Sequence, residues 1–225
     1  MSNLDFGEVF KFFPELVNGL IVTLVMTIIA MVIGTATGLI LALLRMSSRR
    51  AVSIPTSLYI DFWRTTPLLI QIFWFFFVLP QLIGVDYDIF VAATVAIGLN
   101  TGAFLAEVFR AAIAAVPRGQ WDAGHVLGLS TIKIFRIVIL PQASKIVLPP
   151  YAATAMLTLK GTSIAALIGV LELTKVGQLI LAKTFEPAPI LIVLLVMYFV
   201  VIYPIGILAE RLERRLRADE RTAMA

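Results

Sequence analysis

Five stretches of the chain are almost wholly apolar over the length of a membrane crossing: 16–44, 58–79, 89–109, 149–171 and 189–209. About 20 helical residues cross a hydrocarbon layer about 30 Å thick, so the pattern predicts five transmembrane helices and an all-α polytopic fold. The first stretch exceeds that length and is expected to tilt or protrude. Its "GTATG" sets Gly34 and Gly38 four apart on one helix face, a spacing that admits a close neighbour, although ordinary glycine in a membrane helix gives the same letters. Pro67 is expected to kink the second stretch. The aromatic run "FWFFF", Phe73 to Phe77, reads as packed or lipid-facing hydrophobe.

The pattern breaks between the third and fourth stretches, over residues 116–145. There Gly119 to Leu127 suits a short helix and Gly128 the left-handed residue that ends one. Ser130 is placed to cap a second segment, whose Ile132, Phe135 and Ile139 recur on one face and which Pro141 is expected to stop. Two short amphipathic helices of this kind either lie on the lipid surface or form a knob that receives a partner.

Composition agrees with the membrane reading. Of 225 residues 60% are hydrophobic and 14% charged, whereas soluble domains stand near one half and one quarter. Single-domain length leaves no room for a soluble domain of ordinary size beside five spans. The absence of cysteine removes thiol catalysis, disulfides and thiolate metal sites. The start carries Asp5, Glu8 and Glu15 against Lys11, the wrong charge for a cleavable signal, so the first helix is expected to be retained.

The formal charge of +4 matters less than where the basic residues lie. Arg45, Arg49 and Arg50 follow the first stretch. Arg110, Arg118, Lys133, Arg136 and Lys145 follow the third, and Arg211, Arg214, Arg215, Arg217 and Arg221 follow the fifth. The other side holds only Lys11, Lys175 and Lys183. The positive-inside rule therefore puts the N-terminus outside, and the C-terminus and residues 116–145 in the cytoplasm. The basic tail reads as a headgroup anchor, and nothing in the distribution calls for nucleic acid.

No phosphate-binding loop of the form GxxxxGK[ST] occurs, and "LKGTS" around Lys160 has the glycine and lysine in the wrong order. No HExxH occurs, and the single His125 cannot build a metal site. Enzymatic activity is not expected of this chain. Charged and amide side chains inside spans are the remaining candidates for function. Lys160, Asn100 and Gln71 fall near the midplane and are assigned to a translocation path, with Thr162 and Ser163 offering hydroxyls. Pairing of Lys160 with Glu107 or a partner, or snorkelling, is the competing reading. Asp61 and Arg64, three apart, permit a local ion pair, and with Glu107 they are assigned to gating or structural pairs.

"VPRGQWDAGHVLGLSTIKIFRIVILPQA" resembles the EAA coupling loop of ABC importer permeases of the polar amino-acid uptake family, whose members read much like "VPxGQxEAAxALGLS" followed by "ILPQA". "YIDFWRTTPLLIQIF", "AFLAEVFRAAI" and "LKGTSIAALIGVLEL" carry the resemblance from the second through the fourth stretch. It implies one transmembrane permease domain over 1–225, in the bacterial cytoplasmic (inner) membrane. It also implies a second permease, identical or paralogous, two ATPase subunits that hold the ATP and magnesium, and an extracytoplasmic amino-acid-binding protein. No cofactor is then bound by this chain. On this resemblance Gln120, Trp121, Asp122, Ala123 and Gly124 couple to the ATPase, with Gly119 opening the helix and Gly128 making the turn. Arg118, Lys133 and Arg136 form an electrostatic rim.

Two departures stand out. Asp122 and Gly124 replace the usual Glu and Ala, the glycine costing the helix about 1 kcal/mol. Gly161 stands where relatives often carry Asp, which favours an acidic or neutral amino acid such as glutamate, aspartate or glutamine over a cationic one or an opine. An ion-coupled secondary transporter is the alternative of another class, but no internal repeat supports it. A membrane scaffold has no use for Lys160 and Asn100 within spans.

Overall fold

A computed structural model describes residues 6–223. The acidic start that includes Asp5, and the side chains of Arg215, Arg217 and Arg221, lie outside the described residues. Among the described residues every regular element is helical. A short α1 (Gly7–Lys11) leads into α2 (Phe13–Arg45), followed by α3 (Arg50–Thr65), α4 (Leu68–Phe73), α5 (Leu79–Ile83) and the central α6 (Ile89–Ala115). After these come α7 (Arg118–Val126), α8 (Thr131–Ile134), α9 (Leu140–Thr162), α10 (Leu173–Thr184) and α11 (Pro187–Ala223).

Three helices are long and apolar enough to cross a membrane, and two bent pairs bring the number to five if each pair is one span. The second span is broken: Arg50–Thr65 and Leu68–Ile83 meet at 103°. Pro67 causes the break, because its ring pushes Thr66 out of helical geometry, to ψ 142°. The fourth span differs from expectation at both ends. It runs from Thr131 to Ile168 and, after a 47° bend, continues through α10.

Pro141 does not stop the second coupling segment. A π-helical turn over Phe135–Ile139 widens the chain just ahead of it, so Pro141 occupies the opening turn of α9, where its missing N–H costs no bond. Gln142 Nε2 donates to the Val138 carbonyl at 3.0 Å beside it. The same device recurs at the aromatic run, where a π turn over Trp74–Val78 precedes Pro80 in the opening turn of α5. Phe75 is buried there, its ring 5.9 Å from that of Trp63.

The core forms around α6, whose alanines and glycines allow α2 to pack along its length. A Cβ added at Gly34 would sit 2.7 Å from Thr101 Cγ2, and one at Gly38 2.9 Å from the Gly102 carbonyl oxygen. The GTATG spacing is therefore a packing seam. Its partner stripe on α6, Gly98 and Gly102, carries the same four-residue spacing, which the sequence reading did not single out. Hydroxyl pairs tie α9 into the bundle: Thr101 to Thr158 at 3.0 Å and Thr35 to Tyr151 at 2.8 Å. Such bonds between membrane helices contribute about 0.6 kcal/mol each.

Candidate functional site

The knob is built from α7 and α8 around Gly128, which takes the left-handed backbone (φ 70°) expected of it. Ser130 holds the N-cap position of α8, but its side chain makes no cap bond; only its carbonyl is engaged, by Ile134 N at 2.9 Å. Apolar packing holds the two helices together. Ile134 is fully buried, with Ile113, Val116, Ile139 and Ala143 around it, and Trp121 stacks on Phe135 at 6.4 Å between ring centres. Gly124 is explained by Ile134: a Cβ there would lie 2.6 Å from Ile134 Cγ1. The helix gives up about 1 kcal/mol of propensity at Gly124, and the isoleucine fills the space gained.

Outward from this core, Arg118, Gly119, Gln120, Asp122, Ala123, Lys133 and Arg136 are all exposed. The knob also carries an apolar surface that sequence reasoning passed over. Val126 is 86% exposed, with Leu127 and Ile132 close behind. Ile132, expected to share the face of Phe135 and Ile139, is instead 73% exposed, because Ile134 fills the space between α7 and α8. His125 reaches across the turn to Thr131 at 3.5 Å. A surface with apolar centre and charged rim has the makeup of a protein contact.

A second cluster forms where the second span breaks. In an unbroken helix the Trp63 carbonyl would accept from residue 67, which is proline and has no N–H. Gln71 Nε2 and Asn100 Nδ2 both donate to that carbonyl, each at 2.9 Å, and Asn100 Nδ2 also meets Gln71 Oε1 at 2.9 Å. The two amides assigned to a substrate path are thus brought together, and their hydrogens cap the break. The end of α9 meets this cluster, because a Cβ at Gly161 would lie 3.2 Å from Leu68. Lys160 is exposed and lines a groove of about 670 Å³ between α9 and α11 with Met156, Tyr198, Phe199, Tyr203 and Glu210. Thr162 donates to the Leu159 carbonyl at 2.7 Å and Ser163 to that of Lys160 at 2.7 Å, so both hydroxyls are engaged within their own turn.

The ion pairs are arranged differently from the local spacing. No Asp61–Arg64 bridge forms among the described residues; the Arg64 guanidinium lies over the Phe104 ring, 5.5 Å from its centre. Glu107 pairs neither with Lys160 nor with that arginine. It is clamped between Arg45 of α2 and Arg110, the latter at 3.0 Å, joining α2 to α6 near the knob. Asp61 and Arg64 share the regular part of α3, but the Arg64 side chain turns to the Phe104 ring of α6 rather than back to Asp61.

A third cluster had no place in the sequence reading. Glu172, fully buried, caps α10 through Lys175 N at 2.8 Å and accepts from Tyr198 OH of α11 at 3.0 Å; Thr23 Oγ1 of α2 lies 3.4 Å away, its single proton shared with the Gly19 carbonyl at 3.1 Å. Thr23 Oγ1 accepts in turn from Leu173 N at 3.1 Å. Since Tyr198 spends its proton on Glu172, Thr174 donates to Tyr198, at 2.8 Å. Its signal was a lone carboxylate in the apolar run 140–185.

The family described as "Binding-protein-dependent transport system inner membrane component" matches residues 34–218. Among curated proteins, the chain is 36% identical to the L-cystine transport system permease protein TcyB of Bacillus subtilis, over 92% of this chain and 88% of that one. It is 32% identical to the glutamine transport system permease protein GlnP of Escherichia coli K12, over 95% and 98%. A solved amino acid ABC transporter superposes with a TM-score of 0.88 at 35% identity, covering 95% of this chain and all of that one. The MetNI methionine ABC transporter superposes at 0.79 with 21% identity, over 92% and 98%, a likeness of fold.

Proposed function

The chain belongs to the family of binding-protein-dependent transport system inner membrane components and is the permease subunit of an amino-acid ABC importer; from that premise we propose that it carries an acidic or neutral polar amino acid. Permeases of this family work with ATPase and substrate-binding partners, so the chain is a transporter component and not an enzyme. A second permease, identical or paralogous, completes the path, two ATPases dock beneath the pair, one on each knob, and the binding protein approaches from outside. ATP and magnesium stay on the ATPases. The basic residues put the knob in the cytoplasm and the N-terminus outside, in the inner membrane.

The observation that carries the mechanism is continuity. The knob's second half is the first turn of the helix that carries Lys160 and Gly161 near its far end, about 40 Å away at 1.5 Å per residue. A push on α7 reaches α8 through Ile134 and travels along this continuous helix, through its π turn and Pro149–Pro150, toward the broken second span. Gly161 supports the substrate class. The groove carries the Lys160 ammonium beside Gly161 and the Glu210 carboxylate among its other lining residues; without an acidic neighbour at 161, the ammonium favours an anionic group over a second cation.

The test is ATPase stimulation by loaded binding protein in proteoliposomes of the whole complex. Asp122→Lys reverses a charge on the exposed face of α7 and is expected to reduce stimulation at least tenfold while the complex still assembles. Unchanged stimulation places coupling elsewhere and leaves the knob a surface anchor. Uptake from outside in the same vesicles is expected to rank glutamate or glutamine above arginine, and the reverse ranking overturns the substrate class. Uptake that follows an ion gradient without ATP overturns the importer mechanism.

A further inference from the structure

Four described residues hold a positive φ, and three of them are glycines at turns: Gly84, Gly128 and Gly169. The fourth is Phe185, at φ 56°, which closes α10. A left-handed backbone is costly for any residue with a Cβ, and glycine would take this position without strain. A bulky side chain ordinarily offsets such strain by packing. The Phe185 ring does not pack: it is 84% exposed, second only to Val126 among the large apolar side chains described.

The two most exposed large apolar residues therefore stand at opposite ends of the molecule. Lys183 sets its ammonium over the Phe12 ring at 5.6 Å, just ahead of the first residue of α2. The knob lies beyond the other end of that helix, about 50 Å away for 33 residues. The turn around Phe185 is also firmly built. Phe185 N donates to the Leu181 carbonyl at 2.9 Å, Glu186 N to Thr184 Oγ1 at 3.4 Å, and Pro187 opens α11. Below it, Glu172 locks α10 to α2 and α11.

Strain without an internal contact to offset it points to an external one. We propose that Phe185 is the aromatic anchor by which the permease holds its binding protein, seated in an apolar pocket whose rim answers Lys183 and Glu186. The proposal rests on the importer reading above. A role in the lipid headgroups fits less well, since Phe10 and Phe13 already present exposed rings at this end from unstrained backbone. The Glu186 carboxylate beside the ring is also disfavoured against anionic lipid.

Phe185→Gly removes the ring and relieves the backbone together, so folding is not put at risk. The measurement is the concentration of binding protein that half-maximally stimulates ATPase in proteoliposomes. It uses the binding protein encoded with the chain, loaded in turn with glutamine, glutamate, cystine and arginine. The expected result is a rise of at least tenfold for Phe185→Gly, with the maximal rate recovered at saturation, and a return to the original value for Phe185→Tyr. An unmoved half-saturation in an otherwise stimulated system overturns the proposal. So does a lowered melting temperature or loss of the permease pair, which makes the ring an internal or subunit contact. Altered vesicle insertion with an intact response makes it a lipid anchor. A wild-type complex that no loaded binding protein stimulates removes the importer reading itself, a failure distinct from these.

Discussion

The knob and the elbow around α10 are both short helices closed by a left-handed residue, yet side-chain hydrogen bonds weigh differently in the two. Within α7, α8 and the turn between them, the one side-chain hydrogen bond among the described residues is the long His125–Thr131 contact. Backbone bonds close the turn, and the side chains otherwise hold it by apolar packing on Ile134. The elbow has an apolar cluster of its own, with Leu173 and Ile180 against Leu16 and Ile190, and adds Glu172, a carboxylate that groups from α2, α10 and α11 approach together. Apolar contacts lack direction and tolerate small shifts, whereas a multiply bonded buried group fixes geometry and is costly to disturb. On the proposed function the knob must follow its ATPase without coming apart, and the proposed docking face must stay where the binding protein meets it.

Removing the polar node should break the elbow with the largest effect. Glu172→Leu leaves the Tyr198 hydroxyl and Lys175 N–H without their acceptor and is expected to destabilise the protein by about 3 kcal/mol. At about 2–4 °C per kcal/mol for a chain of this size, the melting temperature in detergent falls by about 6–12 °C. Glu172→Gln keeps one carbonyl acceptor and should lose about a third of that. Equal melting of Glu172→Leu and wild type would mean that packing, not the node, holds α10.

Overfilling should disturb the knob less. Gly124→Ala drives a methyl into Ile134 and is expected to cost about 1–2 kcal/mol, confined to the knob and read as weaker assembly with the ATPase. Ile134→Val in the same chain should recover more than half of the loss, although alone it is unfavourable by about 1 kcal/mol. Simple additivity in that double-mutant cycle would show that the two residues do not share a contact.

The same contrast explains what the sequence disclosed. The knob is local, so its glycine turn, its charged rim and its position could be read from 30 consecutive letters. Pro67 and the Gly34–Gly38 seam are also local in origin, being consequences of one ring and one spacing. The elbow is assembled from afar: Thr23 lies 149 residues from Glu172, and Tyr198 lies 26. Periodicity carries no information about such partners. For the same reason Asp61 and Arg64 looked paired by spacing, while Glu107 found Arg45, 62 residues away. Pro141 misled for another reason. A π turn costs one extra residue per turn, and no composition rule separates a proline that ends a helix from one that a widened turn carries through.

The smallest expected effect lies at the knob's single polar contact. His125 is exposed and its bond to Thr131 is at the limit of length and half in water, so His125→Ala should change stability by less than about 0.5 kcal/mol. ATPase stimulation should likewise stay within about twofold of wild type. That near-silence sharpens the comparison, because the same truncation of a hydrogen-bonding side chain at Glu172 is expected to cost several times more. A large loss of coupling with unchanged melting would instead place His125 in the ATPase contact beside Val126. A large loss of stability would mean that the knob, like the elbow, depends on a directional bond, and the division between a packed end and a bonded end would no longer hold.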